Sequence, residues 1–68
     1  MITIIVNKEE KIFQNGLTLF DILNLCGYDS GVPFAVAVNK KLVVRGQYSN
    51  TCLNNGDVID IVYPMQGG

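Results

Sequence analysis

Leu17-Thr18-Leu19-Phe20-Asp21-Ile22-Leu23-Asn24-Leu25-Cys26-Gly27 carries helix signals at both ends, and the rest of the chain is read around it. Thr18 with Asp21 three residues on is a capping-box variant: the hydroxyl caps the first turn and the carboxylate answers the exposed N–H groups. Leu17 and Ile22 sit at the staple positions around it. Leu19, Ile22, Leu23 and Cys26 recur at the spacing of one helix face, and Gly27 is the left-handed stop. The spacing predicts one helix of about two to three turns. An isolated helix of that length is marginal, so packing across a sheet must hold it.

Outward from the helix, the pattern changes to alternation. Ile2, Ile4 and Val6 fall on one face of a strand, Asn7-Lys8-Glu9-Glu10 reads as a polar turn, and Lys11-Ile12-Phe13-Gln14 reads as the second arm of a hairpin. Asn15-Gly16 breaks the pairing. After a loop from Tyr28 to Pro33, Phe34-Ala35-Val36-Ala37-Val38 is nearly all apolar, as expected of a strand buried on both sides or close beneath the helix. Asn39-Lys40-Lys41 turns the chain into Leu42-Val43-Val44-Arg45, a second hairpin. Gly46 to Thr51 reads as an irregular surface stretch containing Tyr48, and Leu53 anchors it. Asn54-Asn55-Gly56-Asp57 turns again before a last strand from Val58 to Tyr63. That strand carries Ile59 and Ile61 on one face, with Val62 beside the buried side or at its rim. The order is strand, strand, helix, strand, strand, strand. It predicts an α+β fold: one mixed sheet of about five strands covered by one main helix, with a parallel neighbour at the sheet centre.

Sixty-eight residues make one small domain, which can bury about 60% of the surface its unfolded chain exposes. Nearly half the residues are apolar (49%), which favours a folded globule over disorder. Lys8, Lys11, Lys40, Lys41 and Arg45 are scattered, so no basic stripe marks a nucleic-acid partner. No apolar run approaches a membrane span and no signal peptide is recognisable, so the expected location is cytoplasmic, with an intact start at Met1. Histidine is absent, and the acidic residues lack metal-ligand spacing, which argues against a self-contained enzyme and against a metal centre or bound cofactor. Cys26 and Cys52 are read as small buried apolar side chains rather than a zinc site or a disulfide framework. Phe13, Phe20 and Phe34 are assigned to the core.

The sequence ends Tyr63-Pro64-Met65-Gln66-Gly67-Gly68. Pro64 cannot donate to a sheet ladder, so the domain is expected to span residues 1–64 and a diglycine tail residues 65–68. Fully extended, those four residues reach roughly 13 Å. Two glycines without Cβ atoms make the end slim enough for a narrow channel, so the Gly68 carboxylate is the candidate reactive group, threaded by Gln66 and Gly67. Tyr63, Pro64 and Met65 are the candidate partner-binding residues, an aromatic beside a proline and an adaptable methionine.

Together, Ala35-Val36-Ala37-Val38-Asn39, Val43-Val44-Arg45, Leu53-Asn54-Asn55-Gly56-Asp57-Val58-Ile59-Asp60-Ile61-Val62 and the Gly67-Gly68 end resemble the ThiS family of sulfur carriers in thiamine thiazole synthesis, over essentially the whole chain. The resemblance implies a ubiquitin-like β-grasp fold. It also implies that a ThiF-like adenylyltransferase consumes Mg-ATP to adenylate Gly68. A persulfide sulfur donor then provides the sulfur of a thiocarboxylate, and a ThiG-like thiazole synthase receives it. The chain departs from the family at Val44, often proline there, and at Tyr48, often tryptophan; neither touches the tail. Arg45 and Tyr48 are read as a solvated charge and an amphipathic lid on the core, with partner docking as the alternative. A molybdopterin-type carrier, a non-carrier binding module of the TGS kind and a protein-modifying tag share parts of this pattern.

Overall fold

The computed structural model describes residues 1–28 and 34–63. Its elements are β1 (Ile2–Val6), β2 (Glu9–Phe13), α1 (Leu19–Leu25), β3 (Ala35–Val38), β4 (Lys41–Val43), a 3-10 helix (Arg45–Asn50) and β5 (Val58–Val62). The sheet order is β2-β1-β5-β3-β4. β1 and β5 run parallel at the centre, while both hairpins and the β3/β5 pair are antiparallel. This is the expected ubiquitin-like β-grasp, and the parallel neighbour of the first strand is the last one.

The helix forms for the reasons its residues give. Thr18 Oγ1 accepts from the Asp21 N–H at 3.2 Å, and Asp21 Oδ2 accepts from the Thr18 N–H at 3.1 Å, a reciprocal capping box. The Leu19 N–H, another donor left over at the helix start, reaches the Thr51 carbonyl at 2.7 Å and ties the helix to the segment after the 3-10 turn. At the other end Gly27 takes φ +87°. Its N–H donates to the Asn24 carbonyl, and the Tyr28 N–H donates to the Leu23 carbonyl at 2.9 Å. Those two bonds complete a Schellman motif and fix Tyr28 directly below the helix end.

Leu19, Ile22 and Leu23 enter one core with Ile4, Val6, Val36, Ile59 and Ile61 from the sheet and with Tyr48 and Leu53. Phe20 is a correction: it stands one residue off the buried helix face, about 100° around, and remains 45% exposed. Phe13 and Phe34 pack against the core at its border.

Both hairpins turn on two residues, shorter than the sequence reading. Asn7 and Lys8 have φ of 50° and 72°, and Asn39 and Lys40 have 51° and 70°. Two successive positive φ values make the tight turn whose twist matches the strands, and asparagine tolerates that region best after glycine. Strand β2 therefore begins at Glu9 and ends at Phe13, and β4 runs from Lys41 to Val43. The polar residues taken for turn are strand residues, because β2 and β4 are edges with one ladder facing solvent. Residues 45–50 are likewise not irregular but a 3-10 helix.

Each turn asparagine also extends β5's pairing. The Asn7 N–H donates to the Ile59 carbonyl at 2.9 Å while its side-chain Oδ1 accepts from the Ile61 N–H at 2.8 Å. On β5's other side, the Asn39 N–H donates to the Val58 carbonyl at 2.7 Å and its Oδ1 accepts from the Val58 N–H at 2.9 Å. In both places the side-chain oxygen takes the ladder position that the backbone carbonyl leaves as the chain turns. β5 is thus clamped from both sides by the first residue of a hairpin turn.

Candidate functional site

Among the sequence-predicted site residues, Tyr63 lies just past β5, at the end of the described chain; Pro64, Met65, Gln66, Gly67 and Gly68 lie outside the described residues. Tyr63 is 52% exposed. Its ring stacks on Tyr28 with centroids 6.0 Å apart and meets Phe34 edge-on at 6.2 Å. Phe34 in turn meets Tyr28 edge-on at 5.6 Å and stacks on Tyr48 at 6.2 Å. Offset and edge-to-face pairs at these distances are worth about 0.5–1.5 kcal/mol each beyond the area they bury. Tyr63 is therefore an exposed member of a four-ring cluster whose buried end is Tyr48. Aromatic residues at 28, 34, 48 and 63 are far apart in sequence; the helix stop, the start of β3, the 3-10 turn and the end of β5 bring them to one end of the molecule.

Tyr48 covers the core as an amphipathic lid, and Arg45 is exposed three residues before it. Between α1 and the 3-10 helix a groove of about 440 Å³ is lined by Phe20, Tyr28, Phe34, Tyr48 and Arg45 among others. Among the described residues that line it, Arg45 is the one that carries a charge.

Sequence reasoning missed the outer face of the sheet. The register puts Asp60, Ala37 and Leu42 side by side, and Val62 beside Ala35, on the face away from the helix. Leu42 is 71% and Val62 64% exposed, so Val62 belongs to this outer face rather than the buried one. Strict alternation through β5 was the available signal: with Ile59 and Ile61 inward, Val62 must point outward. The exposed apolar surface next to Tyr63 accordingly includes Val62.

Neither thiol is fully buried. Cys26, at the helix C-cap, is half-buried; burial pushes its thiol up, against a weaker opposing pull from Lys11. Cys52 is exposed because Leu53, its neighbour, takes the inward side. Both are free. A raised thiol is a poorer nucleophile at neutral pH, and nothing about Cys26 marks it for sulfur chemistry. No three His, Cys, Asp or Glu side chains gather as a metal site among the described residues.

Comparison with known proteins agrees with this geometry. The chain is 32% identical over 65 residues to a thiazole synthase of Paramagnetospirillum magneticum; the match covers 96% of this chain and 20% of that protein. The chain therefore spans about a fifth of that relative's length. In fold it is similar to the crystal structure of a thiamine biosynthesis protein (ThiS) from Geobacter metallireducens. The TM-score is 0.81, with 21% identity over 98% of this chain and 100% of that one. A solution structure of a thiamine biosynthesis protein from the same organism gives a TM-score of 0.75 at 20% identity, over 98% and 88% of the two chains. The model of the ThiS family matches residues 2–68, from the first strand through both terminal glycines, and the chain belongs to that family.

Proposed function

We propose that this chain is a sulfur carrier for thiamine thiazole synthesis, a protein co-substrate rather than an enzyme, with the Gly68 carboxylate as its reactive group. The observation that carries the reading is the family match, which continues to residue 68 and so includes the diglycine. A free carboxylate is a poor electrophile, since its charge repels nucleophiles and its leaving group would be oxide. In the proposed reaction a ThiF-like adenylyltransferase joins the carboxylate to the α-phosphate of Mg-ATP and releases pyrophosphate. The terminal sulfur of a protein persulfide attacks the acyl carbon and expels AMP. Reductive cleavage of the resulting acyl disulfide by a thiol leaves a thiocarboxylate on Gly68 and the donor's sulfur in a new disulfide. The thiocarboxylate then delivers sulfur to a ThiG-like thiazole synthase. The domain's share of the work is to present one carbon in the right place.

A relative named thiazole synthase that contains a segment similar to nearly this whole chain supports such a synthase as the partner. Joining two modules in one polypeptide raises their effective concentration to the order of millimolar, which is useful only for domains that act on one another. Tyr63, Met65 and the exposed Val62 and Leu42 would form the apolar contact for both enzymes in turn. The test is pyrophosphate exchange into ATP by the adenylyltransferase. It should require this chain and vanish on deletion of Gly68 while the melting temperature stays put; exchange at the native rate with the truncated chain would refute the assignment of the reactive carbon.

A further inference from the structure

We infer that Asn7 and Tyr28 are positioning residues that hold Tyr63, the residue from which the chain continues. The inference rests on the carrier reading for its consequence, but not for its geometry.

Tyr28 is held in three ways. Its backbone is locked by the Schellman bond from its N–H to the Leu23 carbonyl, 2.9 Å. Its hydroxyl accepts from Asn7 Nδ2 at 3.1 Å. Its ring meets Phe34 edge-on and stacks on Tyr63, and those two rings also meet each other, so the three form a closed triangle. Asn7 is held as firmly: its N–H reaches Ile59 and its Oδ1 takes the Ile61 N–H. One amide side chain thus grips β5 two residues before Tyr63 with its oxygen, and with its nitrogen holds the ring on which Tyr63 rests. Tyr63 is half exposed and its strand ends at Val62, so closing the core does not itself require the stack. What the arrangement does hold is Tyr63 itself, from which the chain continues. The five residues after Tyr63 reach at most about 18 Å, so the place where Tyr63 is held limits which part of a partner's surface their end can meet. Misplacement of a reacting atom by about 1 Å can cost about a hundredfold in rate.

The experiment compares Asn7→Gly, which keeps the positive φ but removes both side-chain bonds, with Tyr28→Leu, Tyr28→Phe and the remote capping variant Thr18→Ala. Three quantities are read for each: contacts between the rings of Tyr63 and Phe34 by nuclear Overhauser effects in the free domain, kcat and KM for adenylation by a ThiF-like enzyme, and melting temperature. Asn7→Gly and Tyr28→Leu should lose the Tyr63 ring contacts, and kcat should fall about tenfold or more with KM changed less than about twofold. Tyr28→Phe, which keeps the ring, should be rescued in part on both readouts. Thr18→Ala should melt lower but adenylate at the native kcat. Persistence of the Tyr63 contacts in Asn7→Gly and Tyr28→Leu would overturn the inference, as would lost contacts with unchanged kcat, or a loss of kcat in Thr18→Ala that tracks its melting point. A wild-type chain that is never adenylated would refute the carrier reading alone, and the ring contacts would still decide whether Asn7 and Tyr28 hold Tyr63.

Discussion

Replacing Asn39 by alanine should destabilise the domain by about 2–3 kcal/mol, far more than a surface turn residue ordinarily costs. Two terms make up the figure. Asn39 sits at φ 51°, where alanine is penalised by about 1–2 kcal/mol and asparagine much less. Its Oδ1 is also the acceptor for the Val58 N–H at 2.9 Å, an exposed bond to the β5 backbone whose loss costs about 1 kcal/mol. The bond from Nδ2 to Asp57 Oδ1 is exposed, and water replaces it at little cost. For a domain of this size each kcal/mol lowers the melting temperature by about 4–8 °C, so a drop of roughly 8–24 °C is expected.

Thermal and urea unfolding of a short series separates the terms. Asn39→Gly relieves the backbone penalty but not the missing acceptor, so it should recover about 1 kcal/mol relative to alanine. Asn39→Asp keeps the acceptor but sets a carboxylate against Asp57, whose Oδ1 lies 3.0 Å from the asparagine nitrogen. Repulsion raises the carboxyl pKa in the folded state, so this variant should lose stability as pH rises through the carboxylate range, and regain it on acidification. An alanine variant within about 0.5 kcal/mol of wild type would refute the clamp on β5, and equal stabilities for alanine and glycine would remove the backbone term.

Thr18→Ala should cost about 1 kcal/mol by breaking the capping box, read as a drop of about 4–8 °C in melting temperature. Iodoacetamide should modify exposed Cys52 before half-buried Cys26, and Cys26→Ala and Cys52→Ala should both still form thiocarboxylate; complete loss of loading in either folded variant would make that thiol a participant. In a series at position 67, adenylation should fall from glycine to alanine to valine as the end of the chain thickens and stiffens, at unchanged melting temperature, and equal rates would remove the channel constraint.

The local features were legible because local physics determines them. Thr18, Asp21 and Gly27 predict the cap and stop from adjacent residues, and Ile2, Ile4 and Val6 reveal their strand by alternation alone. Errors arose where polarity was read as turn: Glu9, Glu10 and Lys41 are edge-strand residues, whose outward ladder tolerates charge. The surer guide was Asn-Lys at both 7–8 and 39–40, an asparagine able to take positive φ at the head of each tight turn. Phe20 was misassigned by its size although it lies off the face that Leu19, Ile22 and Leu23 define. The bridge from Asn7 to Tyr28, 21 positions apart, and the four-ring cluster, drawn from four separate segments, were beyond a sequence reading, since only the finished fold brings their members together. For the tail, residue types pointed to a chemistry, and Tyr63 is the one candidate site residue whose surroundings the described chain displays.

The most direct test is an intact-mass spectrum of the protein after incubation with a ThiF-like adenylyltransferase, Mg-ATP and a persulfide donor under thiol reduction, with fragmentation to locate any change. The account predicts replacement of one oxygen by sulfur at Gly68, dependent on ATP and absent when Gly68 is deleted. A sulfur located on Cys26 or Cys52, or an unchanged mass with partners that load another carrier in the same mixture, would contradict it.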